Sequence, residues 1–195
     1  MLKKQKKKIN KMSHKEQKEF IKKVKNLFPD MFRKKMVIDF GSLDINGSNK
    51  EWFEDCNYVG IDIQEGKNVD YVSKCHEYID DPIYDVVIST EMLEHDMYWE
   101  KSLQNMLELL KPKGLLIITC ATTGRPEHGT RRSDPFTSPF TSKIDEWCDY
   151  YRNLTIEDVA SVIKPEKNFS ESFENQTTEI PWCDYQFWFF RHKWK

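Results

Sequence analysis

Glu91-Met-Leu-Glu94-His95 places two carboxylates and an imidazole within five positions, and His128 adds a second imidazole in Arg125-Pro-Glu-His-Gly129. In a helical turn Glu91, Glu94 and His95 share a face, because residues three and four apart are neighbours there. Two carboxylates with one or two imidazoles suit a divalent cation such as magnesium. Without a metal, His95 or His128 is the candidate general base, since an imidazole titrates near neutral pH. Each histidine has an ordinary alternative, which is to hold its loop through hydrogen bonds. A second pair of acids, Asp39 and Asp62, closes the apolar runs in Val37-Ile-Asp-Phe-Gly41 and Tyr58-Val-Gly-Ile-Asp-Ile63. An apolar run ending in an acid, with glycine two residues on, is how a parallel strand enters a nucleotide-binding turn. Asp62 stands where a carboxylate grips ribose hydroxyls at the end of the next strand. These two strands and two acids predict a site for an adenosine-bearing cofactor.

The elements that must position these groups alternate along the chain. Residues 37–40 and 58–63 read as the first two strands, joined through a short helix over 49–55 with Trp52 and Phe53 buried. Residues 69–72 form a short third strand. Residues 84–90 are rich in β-branched side chains and read as a buried fourth strand. The helix over 99–110 carries Leu103, Met106, Leu107 and Leu110 on one face, and Lys111-Pro-Lys-Gly114 ends it. Residues 115–120 make the fifth strand. The polar segment 121–150 is long enough to be functional. Its Arg125, Arg131 and Arg132 either clamp an anionic acceptor beside Tyr150 and Tyr151 or form a solvated face. Thr155 caps a helix over 155–163, with Asp158 at the capping-box position. Residues 168–177 and 184–192 pair antiparallel around a turn at Pro181, with Trp182, Trp188 and the other late aromatics covering the sheet. The expected fold is α/β: a three-layer Rossmann-like sandwich with a mostly parallel seven-stranded sheet and a C-terminal antiparallel hairpin.

A chain of 195 residues suits one domain with a real core. It shows no apolar stretch long enough to cross a membrane and no apolar core of a secretory signal at its start. Five scattered cysteines with no C-x-x-C pair argue against a disulfide framework and a zinc ribbon, so a cytoplasmic, reducing setting is expected. The net charge is −2, yet residues 1–25 hold eleven lysines against Glu16 and Glu19. Residues 1–18 are expected to be a flexible basic arm, and 19–195 a single domain. Such an arm either stays solvated or handles nucleic acid. Phe20, Val24, Leu27 and Phe28 recur at helical spacing and predict an amphipathic helix packed on the domain.

With these residues in order, the chain resembles the class I S-adenosylmethionine-dependent methyltransferases of the small, compact type, from about residue 36 to 163. Val37-Ile-Asp-Phe-Gly41 matches their first motif and Gly60-Ile-Asp-Ile63 their ribose acid. Tyr84-Asp-Val-Val-Ile-Ser-Thr-Glu-Met-Leu-Glu-His95 matches the fourth-strand motif, and Leu109-Leu-Lys-Pro-Lys-Gly-Leu-Leu-Ile-Ile-Thr119 the approach to the fifth strand. The resemblance implies S-adenosylmethionine as cofactor, held by Asp39, Gly41, Ser42 and Leu43, by Asp62 and Ile63, and by Thr90 and Glu91. It departs from the family where Leu43 replaces a glycine, with Asn46-Gly47 offering the tight turn instead. It departs again at Lys74, where the family often places an acid near adenine; Cys75, His76 or Glu77 then takes that contact. The Glu-x-x-Glu-His pattern is similar to that of metal-dependent methyltransferases, which implies Glu91, Glu94, His95 and His128 as ligands of a divalent cation. Similar Leu-Glu-His sequences also occur in methyltransferases that use no metal. The expected function is methyl transfer to an oxygen or nitrogen of a small-molecule or sugar-like acceptor. The alternatives are a nucleic-acid methyltransferase and a non-catalytic cofactor-binding relative. The missing Gly-x-Gly-x-x-Gly spacing argues against a nicotinamide enzyme.

Overall fold

The computed structural model describes residues 12–45, 47–176 and 184–191. Seven strands form one sheet: β1 (Met36–Phe40), β2 (Asn57–Asp62), β3 (Tyr71–Val72), β4 (Tyr84–Thr90), β5 (Leu110–Ala121), β6 (Phe169–Gln176) and β7 (Asp184–Arg191). Their order is β3-β2-β1-β4-β5-β7-β6, with β1 to β5 parallel and β7 antiparallel to both its neighbours. This is the expected three-layer arrangement. The turn around Pro181, with Trp182, lies outside the described residues.

The two cores follow from the strand period of two, which sends successive side chains to opposite faces. Val37, Val86, Ile88, Leu115 and Ile117 face one side, where they meet Phe20, Ile21 and Val24 of α1 (Met12–Leu27). Ile38, Phe40, Val87, Leu116 and Ile118 face the other. There they meet Leu103 and Met106 of α2 (Trp99–Leu109) and Val159 and Ile163 of α3 (Ile156–Ile163). A four-residue helix, α4 (Pro165–Asn168), leads into β6.

Several local expectations shift. α1 is amphipathic, but Ile21 rather than Leu27 completes its buried face, and Leu27 is 60% exposed. Residues 12–18 of the expected arm belong to α1, while residues 1–11 lie outside the described residues. The expected helix over 49–55 is a single 3-10 turn, Asn49–Trp52, and Trp52 and Phe53 are only half-buried. Asn49 takes the buried position instead, because its amide bonds two groups of the sheet. β5 starts earlier than expected, at Leu110 opposite Tyr84, and rejoins the register at Leu115 opposite Val86. Lys111 to Gly114 is thus an irregular insert within the strand, with Lys113 in the left-handed region at φ +62°.

Thr155 accepts from the Asp158 amide at 3.2 Å, and the Asp158 carboxylate accepts from the Thr155 amide at 3.0 Å. This reciprocal cap fixes the start of α3. Thr155→Ala is expected to cost about 1 kcal/mol, read as a lower midpoint in urea unfolding with an unchanged slope.

Candidate functional site

The C-terminal ends of β1, β2 and β4 and the segment after β5 open into one cavity of about 490 Å³. That is where open parallel sheets bind ligands. Its floor is built by the turn after β1. Gly41 sits at φ +83°, and a Cβ there would lie 2.8 Å from the Cβ of Met92, so only glycine fits. The Gly41 and Ser42 amides both donate to the Ile61 carbonyl, at 2.9 and 3.2 Å. The Leu43 amide donates to Asp62 Oδ2 at 3.1 Å, and the Ile63 amide to Asp62 Oδ1 at 2.8 Å. Asp62 is thereby aimed along the cavity wall, and burial raises its carboxyl above the usual range. The leucine that replaces a glycine is accommodated by Gly66, where any Cβ would collide with Leu43 Cδ1. Gly47 adopts φ +128°, while Asn46 of the expected tight turn lies outside the described residues.

Asp39 is 1% exposed and is held by two groups that sequence reading missed. Tyr58 donates its hydroxyl to Asp39 Oδ2 at 2.5 Å, and the Asn49 amide reaches Asp39 Oδ2 at 3.3 Å and Thr90 Oγ1 at 3.0 Å. Asn49 therefore ties β1 to β4. Among the described residues, Asp39 Oδ1 and the hydroxyl of Ser42 are buried without a hydrogen-bond partner. Burial pushes the Asp39 carboxyl up to about 7, against the lowering by its Tyr58 and Asn49 hydrogen bonds. Ile63, Thr90 and Glu91 also line the cavity. His76 and Glu77 do not: the His76 ring packs 4.4 Å from that of Tyr98, and Glu77 pairs with Lys74 at 3.1 Å.

The acid–histidine cluster differs from the helical expectation. Glu91 sits at φ +55°, and the turn that follows, Leu93–His95, is 3-10. Glu91 is held by Thr119 Oγ1 at 2.7 Å and by Arg125 at 3.7 Å, and it does not belong to the group formed by Glu94, His95 and His128. The donor atoms of Glu94, His95 and His128 all lie within 4.8 Å of one another. Their neighbour Tyr151, for which sequence reading offered only an anion clamp, stands with its ring 5.0 Å from His128 and 5.5 Å from His95. Both Glu94 carboxylate oxygens and His95 Nδ1 are buried without a partner among the described residues. Burial raises the Glu94 carboxyl well above the usual range, and the Glu91 charge adds to this. Burial drives His95 down to about 3, with a further push from His128. His128 is also lowered by burial. Its Nδ1 lies 3.0 Å from the Pro126 carbonyl. Because only N–H can serve that oxygen, Nδ1 carries the proton and Nε2 is an acceptor. His95 and His128 line the cavity, together with Asp96 and Trp147.

The three arginines of the loop are held internally. Arg125 is paired with Asp184 and Glu91, Arg131 with Asp149 at 2.7 Å, and Arg132 with Glu127 at 2.8 Å.

A family model described as a methyltransferase domain matches residues 12–161. No curated protein matches the chain in sequence. Among solved structures, phosphoethanolamine N-methyltransferase 2 of Haemonchus contortus, in complex with S-adenosylmethionine, superposes with a TM-score of 0.61 at 15% identity. The match covers 90% of this chain and 53% of that one, so the chain spans about half the length of that neighbour. The 1,6-didemethyltoxoflavin N1-methyltransferase of Burkholderia thailandensis gives 0.61 at 13% identity, over 89% of this chain and 78% of its own. The N-methyltransferase NodS of Bradyrhizobium japonicum gives 0.60 at 12% identity, over 94% of this chain and the whole of its own.

Asp39 generates a pH prediction. Its folded pKa is raised, so its contribution to stability is complete below the unfolded value of 3.8 and is lost as pH rises to about 7. The ligand-free Asp39→Asn protein should therefore gain stability relative to wild type across that window and hold a constant difference above it. Urea midpoints of the two proteins at a series of pH values check this.

Proposed function

The chain belongs to the methyltransferase domain family, and we propose that it transfers a methyl group from S-adenosylmethionine to an oxygen or nitrogen of an uncharged small-molecule or sugar-like acceptor. The observation that carries this reading is a single cavity with Asp62 along one wall and His95 and His128 along another. It joins a ribose-binding acid to a candidate proton acceptor.

The residues present fit the cofactor. Asp62, fixed by two backbone amides, keeps lone pairs for ribose hydroxyls. The unpartnered Asp39 Oδ1 and Ser42 hydroxyl supply polar contacts beside the Gly41 turn. Bound there, S-adenosylmethionine would supply the methyl group and its own leaving group. The protein's part is to orient the acceptor, exclude water and receive the acceptor's proton. His128 is assigned the last role. Its lowered pKa keeps it neutral near pH 7, and Nε2 is free to accept. His95, driven down to about 3, is too weak a base and serves to position His128, whose ring stands 5.0 Å away. The internally paired arginines do not support an anionic acceptor. The nucleic-acid alternative through the lysine arm draws no support from the described residues.

A second reading has one specific observation behind it. The buried, unpartnered Glu94 carboxylate beside two imidazoles is a set that would hold a divalent cation. Its ligands would be Glu94, His95 and His128, without Glu91. Such an ion would orient the acceptor oxygens.

Asp62→Ala should weaken S-adenosylhomocysteine binding about 10- to 100-fold in calorimetric titration; unchanged affinity in a folded variant would remove the ribose role. His128→Ala should lower turnover at least about 100-fold with little change in that affinity. Retained turnover would make His128 structural. Activity that survives exhaustive chelation fits the general-base reading. Activity lost to chelation and restored by one divalent cation, but not in Glu94→Gln, would establish the metal reading in its place.

A further inference from the structure

We infer that Lys18 binds the carboxylate of the cofactor's amino-acid end, an assignment that rests on the cofactor reading above. α1 crosses the mouth of the cavity, and its residues Gln17, Lys18 and Ile21 line it. Ile21 is fully buried and so fixes the inward face of the helix. Lys18, three residues earlier, shares that face. It is exposed at the cavity mouth, and its Nζ lies 3.5 Å from where a Cβ on Gly47 would stand. The ammonium is therefore held over the loop that leads into the turn Asn49–Trp52.

That loop marks one end of the cavity. Asn49 bonds both Asp39 of β1 and Thr90 of β4, so it stands on the β4 side of β1, and the Gly47 amide before it donates to Asp44 Oδ1 at 2.8 Å. Asp62 ends β2, on the other side of β1. A ligand with its ribose on Asp62 therefore extends its tail past the Gly41 turn toward Asn49 and Lys18. The tail of this cofactor is an amino acid, with one carboxylate that needs a cation. Six carboxylates line the cavity: Asp39, Asp62, Glu91, Asp96, Glu127 and Asp134. Its two lysine or arginine side chains are Lys18 and Arg125. Arg125 is held by Asp184 and Glu91, whereas Lys18 makes no ion pair among the described residues. Farther along α1, Lys25 is bonded to Glu54 at 2.8 Å and to the Trp52 carbonyl at 2.7 Å. A lysine at a solvated mouth is a modest electrostatic contact, which sets the size of the expected effect.

The test compares two ligands by calorimetry. S-adenosylhomocysteine carries the amino-acid end, and 5′-methylthioadenosine has the same nucleoside and thioether without it. Lys18→Met should weaken S-adenosylhomocysteine binding about 5- to 10-fold while methylthioadenosine binding stays within about twofold. Lys18→Arg should retain most of the wild-type preference. Equal losses for both ligands would assign Lys18 to the packing of α1, and no loss for either would leave it a solvated side chain; both results overturn the assignment. Folded wild-type protein that binds neither ligand would overturn the cofactor reading and this assignment together. Binding of both, abolished by Asp62→Ala but indifferent to Lys18→Met, would overturn this assignment alone.

Discussion

The turn at the end of β1 is the constraint on which the site depends. Gly41 must take a left-handed conformation and lie against Met92, which no other residue can do without displacing the start of the segment after β4. That conformation lets two consecutive amides converge on the Ile61 carbonyl and sends a third to Asp62. Two strands, β1 and β2, are thereby locked at their carboxyl ends by a few peptide groups. The acid on β2 is aimed by the backbone of β1's turn together with the amide of Ile63 that follows it. A change in that turn would move the cavity floor and Asp62 together.

Charge is arranged at some expense. Asp39, Glu94, Asp96 and Asp184 are buried and Asp62 is half-buried, and desolvation pushes all five carboxyls upward. Such groups weaken a fold unless they are hydrogen-bonded or paired. Asp39, Asp62 and Asp96 have hydrogen bonds, and Asp184 has Arg125. Glu94 has none among the described residues. Concentrating this cost at the strand ends, while both faces of the sheet stay apolar, is the pattern of a site rather than of a scaffold.

Much of the fold was legible in the chain because its signals are local. Alternating apolar strands, the proline and glycine after α2, and the Thr155–Asp158 cap each act within a few residues. The site was legible only where a motif is continuous. Asp39, Gly41 and Asp62 announce themselves by strand and turn chemistry. Asn49 and Tyr58 do not, since their value comes from meeting Asp39 across ten and nineteen positions. Gly66 was silent because its purpose is to make room for a leucine elsewhere in the chain. The three-plus-four spacing of Glu91, Glu94 and His95 misled, because spacing argues a shared face only if the backbone is helical. The positive φ at Glu91 breaks that condition. His76 and Glu77, expected near adenine, do not line the cavity: the His76 ring packs on Tyr98 and Glu77 pairs with Lys74.

The pairing of Arg125 with Asp184 links the loop after β5 to the first residue of β7. β7 adds to the sheet antiparallel to β5, from a stretch of chain made long after the strands that carry Asp39 and Asp62. A ribosome delivering this chain in order could therefore shape the nucleoside end of the cavity early. The end that bears Arg125 and Glu91 would wait for the hairpin. Completion of the sheet would then fix that end of the cavity last.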